Sequence, residues 1–398
     1  MRCPLPLYAV VVAAITLMLA GCLFLGPALA VHAAKRPLLG VFEISFGSMP
    51  AAALRLCCVL FLVLWLANLL TTAGVWWLSK ILGGEVSPAT TALVAAGTLL
   101  FLFLTGLQGP RTCAKLALFT NKLGVAILVS AMLRVHEGWP VALRGFPPDS
   151  EPPALAWVAV GLSRLAFYFA PLALLAAGSA SRMPRQKQVA KIALAGVSLP
   201  FFATLVFLGL TSVATHASPI YQPSLKPTVV MALWAHVARS SLPGRILVAA
   251  ITMFGAGRFG VRMLAETVAV RSMKDRSKLA ILACLADAIT WLSFHQEAPT
   301  LLMAFEASIT ALALAAAVLT ADLLSGSLTA LRVQRVNWVG VLAFVAGSAV
   351  PICMPRWTHS VVESWWHPWL LPSYGVAFLV CLSGRALQTI ARVRMGFS

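Results

Sequence analysis

The sequence predicts an all-α, polytopic integral membrane protein with about eleven transmembrane helices. Composition is the first reason: 60% of the 398 residues are hydrophobic and only 11% are charged, whereas soluble domains carry about 25% charged residues. The second reason is that apolar blocks of roughly 18 to 27 residues recur from end to end, long enough to cross a hydrocarbon core about 30 Å thick. These blocks are continuous rather than alternating, which favours helices over a β-barrel.

The apolar blocks predict a single helical transmembrane domain that covers residues 1–398. The mean hydropathy of +0.90 is typical of such a domain. The eight cysteines form neither a CxxC pair nor a zinc spacing, so no metal site is predicted. The predicted spans lie near residues 7–31, 52–78, 88–107, 113–134, 153–178, 189–214, 245–271, 279–294, 299–324, 337–354 and 370–390.

The distribution of Lys and Arg predicts which helix ends face the cytoplasm. Alternate loops carry seventeen basic residues on one side and seven on the other. Loops rich in basic residues stay on the cytoplasmic side of the cell membrane. The C-terminus is therefore predicted to be cytoplasmic, with Glu266 and Asp322 solvated near the inner helix ends. Because topology accounts for the net charge of +18, nucleic acid is not a predicted partner. The inner set is Lys35, Arg36, Arg111, Lys115, Arg182, Arg185, Lys187, Lys191, Arg271, Lys274, Arg276, Lys278, Arg332, Arg335, Arg385, Arg392 and Arg394, and the outer set is Lys80, Arg134, Arg144, Lys226, Arg239, Arg245 and Arg356.

The N-terminus leaves alternatives open. Eleven spans and an inner C-terminus place Met1 outside, so either the first span enters the membrane like a signal or a preceding helix is absent. The segment Leu19-Ala20-Gly21-Cys22 also matches a lipoprotein cleavage box, which would leave a lipidated Cys22 outside the membrane. Against that reading, the apolar run continues past Cys22 to Ala30.

Short segments spread along the chain resemble a known family, in that family's order. The first is the junction Pro37–Gly47, followed by a helix with a tryptophan at mid-span, Trp65. The others are Gly109–Leu116, the basic run Ser181–Lys191 with Ala195–Pro200, Ala321–Asp322 and Asn337–Ala343. Together they resemble the nucleobase–cation symporters, which include the cytosine, uracil, allantoin and hydantoin permeases.

This resemblance implies a leucine-transporter-like fold with two inverted five-helix repeats and two extra helices. The eleven predicted spans then correspond to the family's helices two to twelve, so its first helix is expected to be absent. Transporters of this kind bind their substrate near the middle of the membrane, at broken helices. The broken first helix normally supplies part of the substrate and sodium sites, so its absence bears on ion coupling.

Aromatic residues are the first candidates for substrate binding. Trp65 matches the tryptophan on which the family's substrates stack, and Tyr168 falls near the second aromatic residue of that site. Asn68 lies one turn after Trp65, on roughly the same helix face. The alternatives are a packed or interfacial Trp65 and a lipid-facing Tyr168.

Ionisable residues at bilayer depth are the other candidates, because an unpaired charge there is costly. Arg258, near the middle of its predicted span, would occupy the position of the coupling cation or bind an acidic group of the substrate. Its alternatives are an ion pair with Asp287 or Glu306, or a side chain that reaches the interface. Lys122, Asp287 and Glu306 are candidates for ion or proton coupling, or simply for charge pairing.

The resemblance therefore implies a secondary transporter of a small, planar, nitrogenous solute that works by alternating access. The alternative is a non-transporting sensor or scaffold derived from such a permease. The chain is not predicted to be an enzyme or to hold a cofactor, although H⁺ or Na⁺ would serve as the coupling ion. The expected partners are the small-molecule substrate and the lipid bilayer, and no oligomeric state is predicted.

Overall fold

A computed structural model describes residues 23–81, 170–192, 258–267, 299–329, 333–353 and 369–394, with isolated positions at 96–97, 119, 122, 126, 281–282 and 285–286. Every regular element in these ranges is helical, which confirms the all-α prediction. Short 3-10 turns occur at Gly178–Arg182 and Ser327–Thr329. In chain order the helices are α1 (Gly26–Ala34), α2 (Leu38–Phe46), α3 (Ser48–Ile81), α4 (residues 170–177), α5 (Gln186–Lys191), α6 (Arg258–Thr267), α7 (Pro299–Leu324), α8 (Trp338–Cys353) and α9 (Leu370–Arg394).

The chain forms two compact units that are interleaved along the sequence. The first unit comprises residues 1–10, 62–152 and 203–301, and it contains α6 and most of α3. The second unit comprises residues 11–61, 153–202 and 302–398. It contains α1, α2, α4, α5, α8 and α9, the start of α3 and nearly all of α7.

The helix lengths agree with a chain that crosses a membrane repeatedly. Three described segments, Ser48–Ala67, Ala304–Leu324 and Leu370–Ala391, are long and apolar enough to span a bilayer, and two shorter helices are also apolar. Helix α7 has the bounds predicted for the span 299–324, and α8 matches the span 337–354 to within a residue at each end. Spans 88–107, 113–134, 189–214 and 279–294 lie wholly or mostly outside the described residues.

Helix α7 forms the centre of the second unit. Every residue from Leu312 to Asp322 is buried, and most are alanine or leucine. Its hydroxyl groups donate to main-chain carbonyls of the same helix, at 2.7–3.0 Å from Ser308, Thr310 and Thr320. The Tyr374 hydroxyl on α9 donates to Thr320 Oγ1 at 3.2 Å. These bonds satisfy polar groups that have no access to water.

Glycine lets α8 pack closely on its neighbours. A Cβ at Gly347 would lie 2.7 Å from Leu314 Cδ2 on α7 and 2.8 Å from the Ser373 carbonyl oxygen on α9. No side chain fits in that space, so the three helices approach each other directly there. Small residues commonly allow such close contacts between membrane helices, because packing rather than the hydrophobic effect drives their association.

Helix α2 corrects the prediction for the junction between the first two spans. The sequence places this segment in the inner loop between the first two predicted spans, but the structure has a nine-residue helix with Leu38, Val41, Phe42, Ile44, Ser45 and Phe46 buried. Nine residues are too few to cross a membrane, so the length of the apolar run did not indicate a separate element. The helix ends at Gly47, whose φ of +94° separates α2 from α3.

Replacing Gly47 with alanine should therefore destabilise the protein. Its backbone conformation is one that side chains rarely adopt, at a cost of about 1–3 kcal/mol, and the new Cβ would lie 2.7 Å from the Arg335 carbonyl oxygen. Gly326→Ala is the matched control, because φ is +68° and a Cβ there meets nothing within 4 Å. We expect Gly47→Ala to lower the melting temperature in detergent clearly more than Gly326→Ala does. Equal losses would show that the close packing at Gly47 contributes nothing.

Candidate functional site

Trp65 lies at the midpoint of α3, a helix of 34 residues. At about 1.5 Å per residue this helix is longer than a membrane is thick. From Leu62 to Ala67 every residue is buried except Trp65, which is half-buried. Part of the Trp65 residue therefore stays accessible at the midpoint of α3.

Another part of the indole ring packs against the backbone of α6. A Cβ at Gly260 would lie 2.6 Å from Trp65 Cζ3 and 3.0 Å from Cε3. The neighbouring α6 residues Val261 and Leu264 are fully buried. Helices α3 and α6 can therefore approach this closely only because position 260 has no side chain. The contact holds one edge of the ring in place.

This contact also brings two predicted site elements together. Arg258 lies on α6, two residues before Gly260, and Arg262 is half-buried one turn later. The helix that carries Arg258 therefore packs on the ring of Trp65 in the first unit. The sequence analysis did not identify Gly260 as part of the site. The glycine-rich stretch Gly255–Gly260 was the signal in the sequence, because a residue without a side chain can mark a position where a side chain of another helix packs closely.

The remaining predicted site residues are distributed as follows. Glu306 lies on α7 and is buried at 5% exposure. Lys122 lies on a helix and is exposed. Asn68 lies on α3, one turn after Trp65. Tyr168 and Asp287 lie outside the described residues.

The second unit contains a fully buried ion pair between α7 and α9. The side chains of Asp322 and Arg385 are 0% and 1% exposed. Arg385 Nε donates to Asp322 Oδ1 at 2.6 Å and Nη2 donates to Oδ2 at 3.3 Å. The Ser327 hydroxyl and the Cys381 thiol also donate to Asp322 Oδ1, at 3.3 Å and 3.5 Å. A two-point contact of this kind suits the planar fork of a guanidinium.

The same guanidinium helps to complete the end of α2. The last four carbonyls of a helix have no partner within that helix. In α2 each of them accepts a hydrogen bond from a residue beyond the end of the helix. The four bonds run from Gly47 N to Glu43 O (3.1 Å), from Asn337 Nδ2 to Ile44 O (3.1 Å), from Arg385 Nη2 to Ser45 O (3.2 Å) and from Asn337 N to Phe46 O (2.7 Å).

Asn337 links the ion pair to α2 and to the start of α8. Arg385 Nη1 donates to Asn337 Oδ1 at 2.9 Å and to Gln388 Oε1 at 3.1 Å. A Cβ at Gly340, in the first turn of α8, would collide with the Ser45 carbonyl oxygen. We call this group, Arg385 with Asp322, Asn337 and the C-terminal carbonyls of α2, the Arg385 network.

The Arg385 network corrects two predictions. The sequence predicts a solvated Asp322 and places Arg385 among the charges of the inner loops, and both predictions are wrong. The two residues are 63 positions apart and pair with each other in the interior. The signal was present, because Arg385 falls inside the predicted span 370–390. Removing Arg385 from the inner set leaves sixteen of the seventeen basic residues against seven, so the charge asymmetry keeps its direction.

Comparison with known proteins places this geometry in a known fold. No protein-family model matches the sequence, and no curated protein matches it. The inward-facing conformation of Mhp1 is similar to this chain, with a TM-score of 0.65 and 14% sequence identity. The match covers 98% of this chain and 85% of the Mhp1 chain. Mhp1 in a closed conformation with bromovinylhydantoin bound, described as a nucleobase-cation-symport-1 family transporter, matches 97% of this chain over 86% of its own, with a TM-score of 0.64 and 14% identity.

The chain has the fold of Mhp1. It is a multi-pass helical membrane protein, and the similarity confirms the leucine-transporter-like fold that the sequence resemblance implies. A manganese transporter from Eremococcus coleocola matches 98% of this chain over 88% of its own at 15% identity, but its TM-score of 0.45 is too low to carry an argument.

Three segments that carry the resemblance to the family meet in the Arg385 network. They are Pro37–Gly47, Ala321–Asp322 and Asn337–Ala343, which supply the end of α2, the counterion and the start of α8. In this chain these residues hold helix ends together.

Replacing Gly260 with alanine should displace the Trp65 ring. In a helix this change normally stabilises by about 0.5–1 kcal/mol, but forcing a methyl group into a filled space costs about 1–3 kcal/mol. Gly375→Ala on α9 is the matched control, because a Cβ there meets nothing within 4 Å. We expect only Gly260→Ala to lower the melting temperature, and Trp65→Leu in the same chain to recover part of the loss. A neutral Gly260→Ala would contradict the packing described here.

Replacing Arg385 with methionine should be strongly destabilising. Removing one partner of a buried ion pair costs about 3–5 kcal/mol, because the other charge is left without compensation. Arg385→Lys keeps the charge but has three donors in place of five, so it should fall between the wild type and Arg385→Met. Melting in detergent measures the order, with the exposed Arg335→Met as a control of the same residue type. Equal behaviour of Arg385→Met and Arg335→Met would rule out a stabilising role for the network.

Proposed function

We propose that this protein is a secondary transporter, not an enzyme, and that it moves a small, planar, nitrogenous solute such as a nucleobase across the cell membrane. The observation that carries this proposal is Trp65, half-buried at the midpoint of α3 with one edge packed against Gly260. An aromatic ring at this position offers a planar ligand a stacking surface that does not require one particular hydrogen-bond pattern.

The shared fold supports the same proposal. Mhp1 is described as a transporter, with bromovinylhydantoin, a compound built on a planar ring, bound in one of the two matched structures. Its matched structures are in an inward-facing and a closed conformation. We propose that this chain likewise alternates access to its site, with Trp65 and Tyr168 facing the substrate and Asn68 contributing a polar contact.

We further propose that transport is coupled to H⁺ or Na⁺. Buried Glu306 is the candidate whose surroundings the structure describes best, and Asp287 and Lys122 remain further candidates. Arg258 lies on the helix that packs on Trp65, so its fixed charge would occupy the position of a cation or bind an acidic group of the substrate. The charge of the loops supports a cytoplasmic C-terminus.

Uptake into proteoliposomes tests the proposal. The purified full-length chain is supplied with radiolabelled nucleobases and hydantoins under an imposed Na⁺ or pH gradient. Trp65→Phe should keep most of the uptake, whereas Trp65→Ala should weaken the apparent affinity about tenfold, since stacking of a base on an aromatic ring contributes about 1–3 kcal/mol. Trp338→Ala is the control, because Trp338 is 67% exposed on the outside of α8.

Two results would count against the proposal. The first is that the folded protein takes up none of these compounds under either gradient, which would favour a non-transporting sensor or scaffold. The second is that Trp338→Ala lowers uptake as much as Trp65→Ala does, which would remove Trp65 from the site while leaving transport itself intact.

A further inference from the structure

Two basic segments that are far apart in the sequence lie side by side in the second unit. Residues 32–36 comprise the last residues of α1 and the two that follow it. Residues 178–191 form the turn after α4 together with α5. His32 Nδ1 lies 3.3 Å from the Ala180 carbonyl oxygen, across 148 positions of sequence. The tautomer that donates this bond leaves His32 Nε2 to accept from Lys35 Nζ at 3.3 Å. The loop charges that the sequence counts separately therefore share one surface.

Apolar contacts fix this surface to the body of the unit. Val189 is buried at 1% exposure, whereas its neighbours on α5 are exposed. The turn at Gly178 lies against the start of α2, because a Cβ there would be 3.3 Å from Leu38 Cβ. The orientation of the basic side chains is thus set by folded structure on both sides and not by a free loop.

The charge of this surface is strongly unbalanced. Residues 32–47 carry two Lys or Arg and residues 178–192 carry four, and the only carboxylate in these segments is Glu43. All six cations are exposed. Like charges held on one surface repel each other, and anions from outside the protein relieve that repulsion. The six are Lys35, Arg36, Arg182, Arg185, Lys187 and Lys191.

The position of the surface indicates which anion it meets. It lies where α1 ends at Ala34 and where α4 gives way to the Gly178–Arg182 turn, at the ends of two helices that overlap the predicted spans 7–31 and 153–178. Apolar Ile192, which follows α5, is 41% exposed beside these charges. Basic residues next to a membrane, with an apolar side chain among them, suit anionic phospholipids, whose negative headgroups attract Lys and Arg near the surface.

We propose that Lys35, Arg36, Arg185, Lys187 and Lys191 form a binding surface for the phosphate headgroups of anionic phospholipids. The convergence of the two segments through His32 and Ala180 carries this inference. Loop charges that only set the topology need not come together. The surface does not depend on what the protein transports, so the proposal is independent of the proposed function.

Lipid selectivity of the full-length chain in phosphatidylcholine vesicles tests the proposal. Spin-labelled phosphatidylglycerol and spin-labelled phosphatidylcholine are compared by the fraction that the protein immobilises. The test variant is Arg185→Gln/Lys187→Gln. The matched control is Arg335→Gln/Arg55→Gln, which also removes two exposed cations. We expect the wild type and the control to prefer phosphatidylglycerol, and the test variant to lose about fivefold or more of that preference.

Three outcomes would overturn the proposal. The first is that the wild type shows no preference for phosphatidylglycerol. The second is that the control loses as much preference as the test variant, which would assign the effect to net charge alone. The third is that inorganic phosphate, added at an ionic strength matched with chloride, displaces phosphatidylglycerol, which would indicate a site for free phosphate. Melting temperatures of both variants in detergent confirm that each is folded, and the uptake assay reports on transport separately.

Discussion

Three carbonyls at the C-terminus of α2, on the buried residues Ile44, Ser45 and Phe46, need hydrogen-bond donors in the interior. An unpaired polar group in such a place costs several kcal/mol. The break at Gly47 creates this need, because the helical hydrogen bonds of α2 stop after the bond from Gly47 N to the Glu43 carbonyl. The donors for the other three carbonyls come from the main chain and side chain of Asn337 and from Arg385. A single requirement of the main chain thus ties α2 to the start of α8 and to α9.

That requirement explains why position 385 is arginine and why Asp322 is buried. A guanidinium has five N–H groups, and five hydrogen bonds leave Arg385: two to Asp322 and one each to Ser45, Asn337 and Gln388. A buried cation also needs a counterion, which Asp322 supplies from the central helix α7. A positive charge at the C-terminus of α2 is further favoured by the helix dipole. A lysine has too few donors for these roles.

The length of an apolar run is a local signal, because the thickness of the bilayer sets how long a spanning helix must be. Helix α7 has the predicted bounds, and α8 is within a residue of them at each end. Helix α2 was missed because a buried nine-residue helix has no such signal. Asp322 and Arg385 were misplaced because their pairing depends on a contact across 63 positions, which no local pattern encodes.

The candidate site shows the same division between local and distant signals. A tryptophan in the middle of an apolar helix can be found in the sequence, and its position at the midpoint of α3 agrees with the prediction. Its relation to Gly260 cannot be found there, because what matters at position 260 is a missing side chain. Under the proposed function this absence is useful. One edge of the Trp65 ring is held before any ligand arrives, so less freedom is lost on binding. A larger residue at 260 would push the ring towards its accessible side, into the space that a planar solute would occupy.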